Sequence, residues 1–323
     1  MVTVTELLQP VELDLEVLIS DLKSLIGAGH PILKAAAEHL FSAGGKSLRP
    51  GIVLLISKAI SEDMSLSSKH RRLAEITEMI HTASLVHDDV VDEASTRRGV
   101  PTVHSRFNSR VAVLAGDFLF AQASWHLANL NDVEVVKLLS RVIMDLAEGE
   151  IKQGLNRYDS AQSFSSYIEK SFCKTASLMA NSSKAAGVLT GLEDCYLKKL
   201  YEFGKNVGLA FQVVDDILDF TGNDKQLGKP AASDLASGYL TAPVLFALEE
   251  NPNLSIFIDR EFAEEEDISK ALDLVRDSKA IERSRELAEN FADKSREAIS
   301  WLPDSPYKRA LNNLPEFVLS RLY

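Results

Sequence analysis

Apolar residues recur with the 3.6-residue period of an α-helix along most of the chain. Segment 69–93 is a clear case, with apolar side chains at Leu73, Ile76, Ile80 and Leu85 and carboxylates at its C-terminal end. The same pattern predicts helices at about 31–41, 107–129, 133–150, 164–190, 195–220, 233–250, 266–277, 280–301 and 305–321. No series of alternating strands separated by turn signals is visible. The pattern predicts an all-α protein, a large antiparallel helix bundle with its site among facing helices.

Some of the predicted helices are apolar around much of their circumference. The stretch 111–120, VAVLAGDFLF, is an example, and such helices are typical of the interior of a large bundle. Neither an internal repeat nor a low-complexity linker interrupts the chain, so we expect a single domain over residues 1–323. Polar groups on buried helices must find partners, because burial without them is costly. Function is therefore sought where polar residues interrupt the apolar helices.

Composition limits the function classes. The chain has 323 residues, of which 46% are hydrophobic and 25% charged, and its formal charge is −12. This acidic balance argues against a nucleic-acid partner, since binding phosphate backbones needs basic surface. Cys173 and Cys195 have neither metal-ligand spacing nor a disulfide framework, which suggests a reducing compartment. The N-terminus does not resemble a signal peptide, and we expect no transmembrane segment, so the sequence predicts a cytoplasmic protein.

Two clusters of carboxylates stand out on the apolar helices. The first, His87–Asp92, reads HDDVVD and ends its helix; the second, Gln212–Asp219, reads QVVDDILD. In each cluster two aspartates four residues apart lie on the same face of a helix, with Cβ atoms about 5–6 Å apart. Like charges at this distance repel unless a cation stands between them, and at the first cluster the helix dipole adds to the repulsion.

Carboxylate oxygens suit hard cations, and Mg²⁺ in particular binds one or two carboxylates together with substrate phosphates. If the two faces oppose each other, they can hold Mg²⁺ around a diphosphate. The alternative is a pair of solvated acidic helix ends, which is the more common explanation for either cluster alone. Because the same spacing occurs twice within apolar sequence, we favour the metal site.

Basic residues accompany the acidic clusters. Their segments are GGKSLRP (44–50), TRRG (96–99), KT (174–175) and GK (228–229). Arginine and lysine bind diphosphate directly. The Gly-Gly-Lys is not a P-loop, because no GxxxxGK[ST] follows a strand. Paired arginines are usually solvated, so their significance depends on their position beside the acidic clusters.

Together these residues resemble the trans-isoprenyl (polyprenyl) diphosphate synthase family. The matching segments, in the family's order, are GGKSLRP (44–50), HTASLVHDDVVDEASTRRG (81–99), KTA (174–176), FQVVDDILD (211–219) and GK followed by SDL (228–235). They extend over about residues 30–250, and the combination is highly specific. The segment TAPVLFALEE (241–250) is also similar to the solanesyl diphosphate synthases of cyanobacteria and plastids.

The resemblance implies the isoprenoid synthase fold, antiparallel helices around a deep central cavity, in a homodimer. It implies three Mg²⁺ ions with substrate bound, held by Asp88 and Asp92 on one wall and Asp215 on the other, with Asp89, Asp216 and Asp219 supporting. The residues implied to bind isopentenyl diphosphate are Lys46, Arg49, His81 and Arg98. Those implied to bind the allylic prenyl diphosphate are Arg97, Lys174, Thr175, Gln212 and Lys229. His81 precedes Asp88 by two helical turns, so both lie on the same face.

A mechanism follows from these charges. Cations offset the charge that develops on the leaving pyrophosphate, so the allylic C–O bond ionises to a carbocation. The isopentenyl double bond attacks this cation, and a proton is then lost to the pyrophosphate. Water must be kept out, because it would quench the cation.

Product length is expected to depend on the residues one turn below Asp88. Ala83 and Ser84 are small, whereas the resemblance implies a bulky block in short-chain members. We therefore expect an all-trans product of C20 or longer, most like the C45 solanesyl chain of a quinone. Phe118, Phe120 and Trp125 on the next helix are alternative floor residues.

Two positions depart from the pattern of the family. Ala232 stands where glycine is common, and Tyr239 where many members have lysine, which weakens any direct diphosphate contact at 239.

The alternatives to a long-chain synthase are a geranylgeranyl diphosphate synthase, a terpene cyclase, a non-catalytic subunit of a heteromeric synthase and a helical scaffold. A cyclase would not need Lys46, Arg49 and His81, and an inert subunit would be expected to lose aspartates.

Overall fold

The computed structural model describes residues 3–25, 31–42, 47–97, 99–222 and 232–322. The helices before residue 96 are α1 (Val4–Leu8), α2 (Glu12–Leu25), α3 (Pro31–Ser42), α4 (Leu48–Ile60) and α5 (Ser68–Val91), with a 3₁₀ turn at Gln9–Val11. A short antiparallel hairpin of β1 (Thr96–Arg97) and β2 (Val100–Pro101) follows.

The remaining described elements are helical. They are α6 (Val103–Arg106), α7 (Ser109–Ala128), α8 (Val133–Leu155), α9 (Phe164–Ser171), a π-helical turn (Phe172–Ala176), α10 (Ser177–Thr190) and α11 (Asp194–Thr221). After these come α12 (Ser233–Ala236), α13 (Ala242–Glu250), α14 (Leu254–Asp259), α15 (Asp267–Asp277), α16 (Ala280–Ala298) and α17 (Pro306–Ser320). The prediction of an all-α fold is confirmed.

Local sequence explains where the long helices begin. The Ser67 side chain accepts a hydrogen bond from the backbone N–H of His70 at the start of α5. Asp132 caps α8 in the same way through two backbone N–H groups, and Ser305 caps α17 just before a proline at its first position. These side chains bind backbone donors that the first helical turn leaves unpaired.

Helix α11 runs through the centre of the bundle and packs against α10 and α16. Two glycines allow the close approach of α11 to α10 and to the π turn that precedes it. A Cβ atom at Gly204 would lie 2.2 Å from the Met179 carbonyl oxygen, and one at Gly208 would lie 2.5 Å from the Cα atom of Ala176. The buried core that includes α11 is continuous from Leu7 to Val318. Because Gly208 brings α11 against the π turn, the polar residues one turn further along α11 face the residues of that turn.

Helix α7 packs against α5 through small residues, which include Ala112, Ala115 and Gly116. By length and composition α7 could cross a membrane, with a mean hydropathy of 1.2 and 33% of the relevant stretch buried. The sequence led us to expect no segment long and apolar enough to cross a membrane, and α7 is an exception by these two criteria. One helix of this kind is no clear membrane span, since the core helices of bundles meet the same criterion.

Two predicted helices are interrupted. Segment 164–190 contains the π turn between α9 and α10, and segment 233–250 is broken by residues 237–241 between α12 and α13. In the second break Gly238 has φ +79°, a left-handed conformation that ends α12. Both interruptions lie beside the same cavity, so the irregular backbone is concentrated at the site.

Candidate functional site

A cavity of about 610 Å³ opens where the ends of α5 and α8 meet α9, the π turn, α11 and the segment 233–241. Its wall includes Asp92 from the first acidic cluster and Asp216 from the second. Lys174 of the π turn and Gln212 of α11 also line it. The structure therefore brings both acidic clusters, which are more than a hundred residues apart in sequence, to one cavity.

The first cluster carries charge with few direct partners. Asp88 and Asp92 accept no side-chain hydrogen bond from the part of the chain that the structure describes, whereas buried Asp89 accepts one from Arg97 Nε at 2.7 Å. Burial raises the pKa of Asp88 to about 6; Lys174 opposes the shift, and Glu150 and Asp92 add to it. This wall holds carboxylates that a cation would stabilise.

Each aspartate of the second cluster has an ion-pair or hydrogen-bond partner. Asp215 forms an ion pair with Arg321 at 2.6 Å. Buried Asp219 accepts hydrogen bonds from Ser233 Oγ at 3.1 Å and from the Asp234 N–H at 3.2 Å. Asp216 is buried as well, and its burial raises its pKa to about 7 although two hydrogen bonds act in the opposite direction.

A hydrogen-bonded chain links the π turn to Asp216. Thr175 Oγ1 donates to Gln212 Oε1 at 2.6 Å, and Gln212 Nε2 donates to Asp216 Oδ1 at 2.8 Å. From the other side the Tyr167 hydroxyl donates to Asp216 Oδ2 at 2.6 Å. Burial beside Asp216 raises the pKa of Tyr167 well above its ordinary value, so the hydroxyl remains a donor. Thr175, Gln212 and Asp216, selected separately from sequence, thus form one unit.

Two lysines of the described chain line the cavity. Lys174 Nζ donates to Glu150 at 2.9 Å and to Gln153 at 3.1 Å. Burial would lower the pKa of Lys174, but Glu150, Asp88 and Asp92 raise it above the ordinary value. Lys170, one turn earlier, is 8% exposed, and burial lowers its pKa, an effect that Asp216 opposes. Both ammonium groups can bind an anion that enters the cavity.

Of the residues predicted to bind isopentenyl diphosphate, two lie in the part of the chain that the structure describes. Arg49 Nη1 donates to His81 Nε2 at 3.0 Å, so these two predicted residues meet between α4 and α5. Lys46, Arg98 and, from the allylic set, Lys229 lie outside the described residues. Arg97, also predicted to bind the allylic diphosphate, is bonded to Asp89 here.

The predicted chain-length positions lie between α5 and α7. Ala83 is fully buried against Leu119, and Phe118 and Phe120 pack around this pair. Ser84 is half-buried, and its hydroxyl donates to the His81 carbonyl at 2.9 Å. Trp125 is 67% exposed, so it is wrong as an interior floor residue within one chain.

The donor set fits Mg²⁺ that is shared with a substrate. Among the described residues, no group of three or more metal-ligating side chains is close enough to hold an ion alone. Mg²⁺ is commonly bound by one or two carboxylates together with substrate phosphates and water, so a ready-made protein cage is not required. Asp88 and Asp92 are the predicted carboxylates on one wall. Asp215, predicted on the other, forms an ion pair with Arg321, and Asp216 is the carboxylate of that cluster that lines the cavity.

Sequence analysis missed several residues of the cavity. Lys170 is four residues before Lys174, a spacing that could have pointed to it, since it places both lysines on one side of a helix. Asp234 lies in the SDL segment that matches the family but was given no role there. Tyr167 and Arg157 also line the cavity, but no motif in the sequence identifies them. Their positions depend on contacts between distant segments.

Comparison with known proteins gives consistent matches. The polyprenyl synthetase family model matches residues 30–275. A prenyl transferase from Synechocystis sp. is 60% identical over 323 residues, covering 100% of both chains. Solanesyl-diphosphate synthase 2, chloroplastic, from Oryza sativa is 50% identical over 99% of this chain and 80% of its own. A polyprenyl synthase from Caulobacter crescentus, crystallised with calcium and isoprenyl diphosphate, has a TM-score of 0.90 at 34% identity, covering 99% of this chain and 98% of its own.

Proposed function

The chain belongs to the polyprenyl synthetase family and is a prenyltransferase; from this premise we propose that it condenses isopentenyl diphosphate with an allylic diphosphate into a long all-trans polyprenyl diphosphate. The observation that carries the proposal is the shared cavity, lined by Asp92, Asp216 and Lys174. An allylic diphosphate placed there meets carboxylates from two walls and ammonium groups from a third.

We propose that the enzyme depends on Mg²⁺, with three ions when substrate is bound. Asp88, Asp92 and Asp215 would hold the metal, and Asp89, Asp216 and Asp219 would support them. When bound, Mg²⁺ supplies positive charge beside the leaving pyrophosphate. The calcium and isoprenyl diphosphate of the Caulobacter crescentus structure support a cation site of this kind.

The protein's own groups have defined tasks in this reaction. Lys174 and Lys170 offset charge on the pyrophosphate as the allylic C–O bond breaks. Thr175 and Gln212 fix the Asp216 carboxylate, and Tyr167 keeps it hydrogen-bonded from the other side. Arg49 and His81 would hold isopentenyl diphosphate, with Lys46 and Arg98 as further predicted ligands, while Arg97 and Lys229 complete the predicted allylic set. No side-chain nucleophile is needed, because the isopentenyl double bond attacks the cation.

The direct test is an assay with isopentenyl diphosphate and an allylic primer, with and without Mg²⁺. We expect elongated product only with the metal. A cyclised product from the allylic diphosphate alone would identify a terpene cyclase. No turnover, with the purified chain folded and the metal present, would favour the non-catalytic subunit of a heteromeric synthase.

We propose a C45 solanesyl product, supported by the chloroplastic relative and by the small residues Ala83 and Ser84. Geranylgeranyl diphosphate is the alternative product. Replacing Ser84 by Phe adds bulk one turn below Asp88 and should shorten the chain by several isoprene units, as seen by chromatography of the dephosphorylated products. Ser20→Phe, at an exposed position of α2, is the control, and unchanged length in Ser84→Phe would contradict the assignment.

We propose a homodimer that forms through α7 and α8. Large apolar side chains are exposed on both helices, including Trp125 at 67%, Ile151 at 66% and Leu155 at 78%. An apolar surface of this kind is typical of an interface. Ile151→Glu should produce monomers in sedimentation, whereas Leu13→Glu, at a 77% exposed position on α2, should leave the dimer intact. Monomeric wild-type protein would contradict the proposal.

We also propose that residues 1–323 act as one domain in the cytoplasm. The continuous core from Leu7 to Val318 supports a single domain. Cys173 and Cys195 are both free, which is consistent with a reducing compartment.

A further inference from the structure

The C-terminal end of α8 docks on the break between α12 and α13. Arg157 Nε donates to the Ser237 carbonyl at 2.8 Å, and the Tyr158 N–H donates to the Gly238 carbonyl at 2.9 Å. A Cβ atom at Gly238 would lie 2.6 Å from the Tyr158 ring, so only glycine allows this contact. Residues 157–158 and 237–238 therefore form a fixed junction at the edge of the cavity.

The guanidinium of Arg157 lies beside two aromatic rings. Its Cζ lies 5.4 Å from the centre of the Tyr158 ring and 5.7 Å from that of Tyr239. Both distances are within the range of cation–π attraction. Arg157 and Tyr239 also line the cavity that contains Asp92, Asp216 and Lys174. Tyr239 itself carries no charge, but its ring holds the Arg157 guanidinium at the cavity wall.

The outer nitrogens of Arg157 remain available. Nε is used by Ser237, and Arg157 forms no ion pair with a carboxylate in the described part of the chain. Lys174, by contrast, is bonded to Glu150 and Gln153. A guanidinium held through Nε and by two nearby rings presents Nη1 and Nη2 as a preorganised fork, the arrangement that binds two oxygens of a phosphate.

We propose that Arg157 binds the diphosphate of the allylic substrate, and that Tyr239 is the residue that positions it. The inference rests on the proposed function. Arg157 shares its cavity with Lys174 and Gln212 of the predicted allylic set, whereas Arg49 and His81 of the isopentenyl set meet elsewhere, between α4 and α5. Its effect should therefore be specific to one of the two substrates.

The test uses the full-length protein with Arg157→Gln, and Arg276→Gln at an exposed position of α15 as the matched control. We expect Arg157→Gln to raise the KM for the allylic primer by about tenfold to a hundredfold, the effect of losing charge-assisted hydrogen bonds. The KM for isopentenyl diphosphate should change less than twofold. Calorimetric titration with inorganic pyrophosphate and Mg²⁺ should show the same weakening without turnover.

Moving the charge provides a second readout. In Arg157→Gln/Tyr239→Lys the cation is supplied from the facing position, and we expect at least a tenfold recovery of pyrophosphate affinity. Tyr239→Phe should behave as wild type because the ring face is kept, whereas Tyr239→Leu should weaken pyrophosphate binding about twofold to fivefold. A purely structural junction would not be rescued by the Tyr239→Lys substitution, since a lysine at this position does not restore the bond to Ser237.

The outcomes separate this inference from the proposed function. If wild-type protein makes no elongated product, the proposed function fails, and the calorimetric titration still tests Arg157 as an anion site. If wild type is active and Arg157→Gln keeps its pyrophosphate affinity and allylic KM within twofold, the inference is overturned. Equal increases in both KM values, or a lower Tm with unchanged affinity, would also overturn it.

Discussion

The two acidic clusters have the same aspartate spacing but different surroundings. At the end of α5, Asp88 and Asp92 accept no side-chain hydrogen bonds within the described residues, and only Asp89 has a close partner, Arg97. On α11 each aspartate is engaged, Asp215 by Arg321, Asp216 by Tyr167 and Gln212, and Asp219 by Ser233 and the backbone of Asp234. The same aspartate spacing is thus placed in one open and one braced environment.

The difference assigns separate tasks to the two walls. Carboxylates without partners in a partly buried place remain costly until a cation arrives, so the α5 wall gains most from binding metal. Carboxylates fixed by hydrogen bonds keep their geometry with or without a ligand, so the α11 wall can act as the rigid reference. Mutations should therefore separate activity from stability on the first wall and couple them on the second.

The largest effect is expected at Asp88. Asp88→Asn should lower kcat about a thousandfold, because a charged group facing the leaving pyrophosphate is lost. At pH 7 the free energy of unfolding should not fall, because burial makes the charge of Asp88 costly and no hydrogen bond from a described side chain to Asp88 is broken. Steady-state kinetics and urea unfolding measure both, with exposed Asp273→Asn as the control. A loss of activity below tenfold would contradict the role of this wall.

A buried acid outside the cavity, Glu75, measures the cost of burying a carboxylate. Glu75, 1% exposed, lies about 20 Å from Asp88 along α5. Burial raises the pKa of Glu75 to about 7, while Arg72, at 2.7 Å, opposes the shift. The folded state then binds more protons than the unfolded state between about pH 4.5 and 7, so stability falls as the pH rises through this window.

Glu75→Gln should remove this pH dependence. The difference in unfolding free energy between wild type and variant should change by up to about 3 kcal/mol from pH 4.5 to pH 7.5, in favour of the variant at the higher pH. Urea unfolding at four pH values measures it. Parallel stability curves for the two proteins would show that Glu75 keeps its charge throughout.

Tyr167→Phe tests the bracing of the second wall. It removes the donor to Asp216 Oδ2 and leaves a buried oxygen with one partner fewer, so we expect a loss of about 2 kcal/mol in stability. Activity should fall with it, because the carboxylate is no longer fixed. Tyr201→Phe is the control, since its hydroxyl makes no hydrogen bond within the described residues. A variant with unchanged Tm and kcat would show that Tyr167 does not brace Asp216.

The smallest effect concerns Ala232, whose N–H donates to the Asp219 carbonyl at 2.7 Å. Ala232 has φ +57°, a left-handed conformation that suits glycine and explains why glycine is common at this position. In Ala232→Gly, relief of strain offsets the lost methyl group, so stability should change by less than about 1 kcal/mol. Ala185→Gly, in the regular helix α10, should cost about 1–2 kcal/mol. Equal losses of stability in the two variants would show that the backbone at Ala232 is not strained.

Much of the fold and part of the site followed from sequence alone. Helical periodicity and capping residues act within a few positions, so α5, α7, α8, α11 and the two aspartate pairs could be located without tertiary information. The segments resembling the polyprenyl synthases gave the family, which the 60% identical relative confirms. The proposed roles of the individual site residues remain predictions.

Tertiary structure decided the rest. The breaks in 164–190 and 233–250 depend on packing of α11 at Gly208 and of Tyr158 at Gly238, contacts between segments far apart in sequence. The same contacts bring Lys170, Tyr167 and Arg157 to the cavity and give each acidic cluster its own surroundings. Local sequence determined which helices carry charge, because helix geometry repeats every few residues; long-range packing determined what each charge meets, because its partners come from distant parts of the chain.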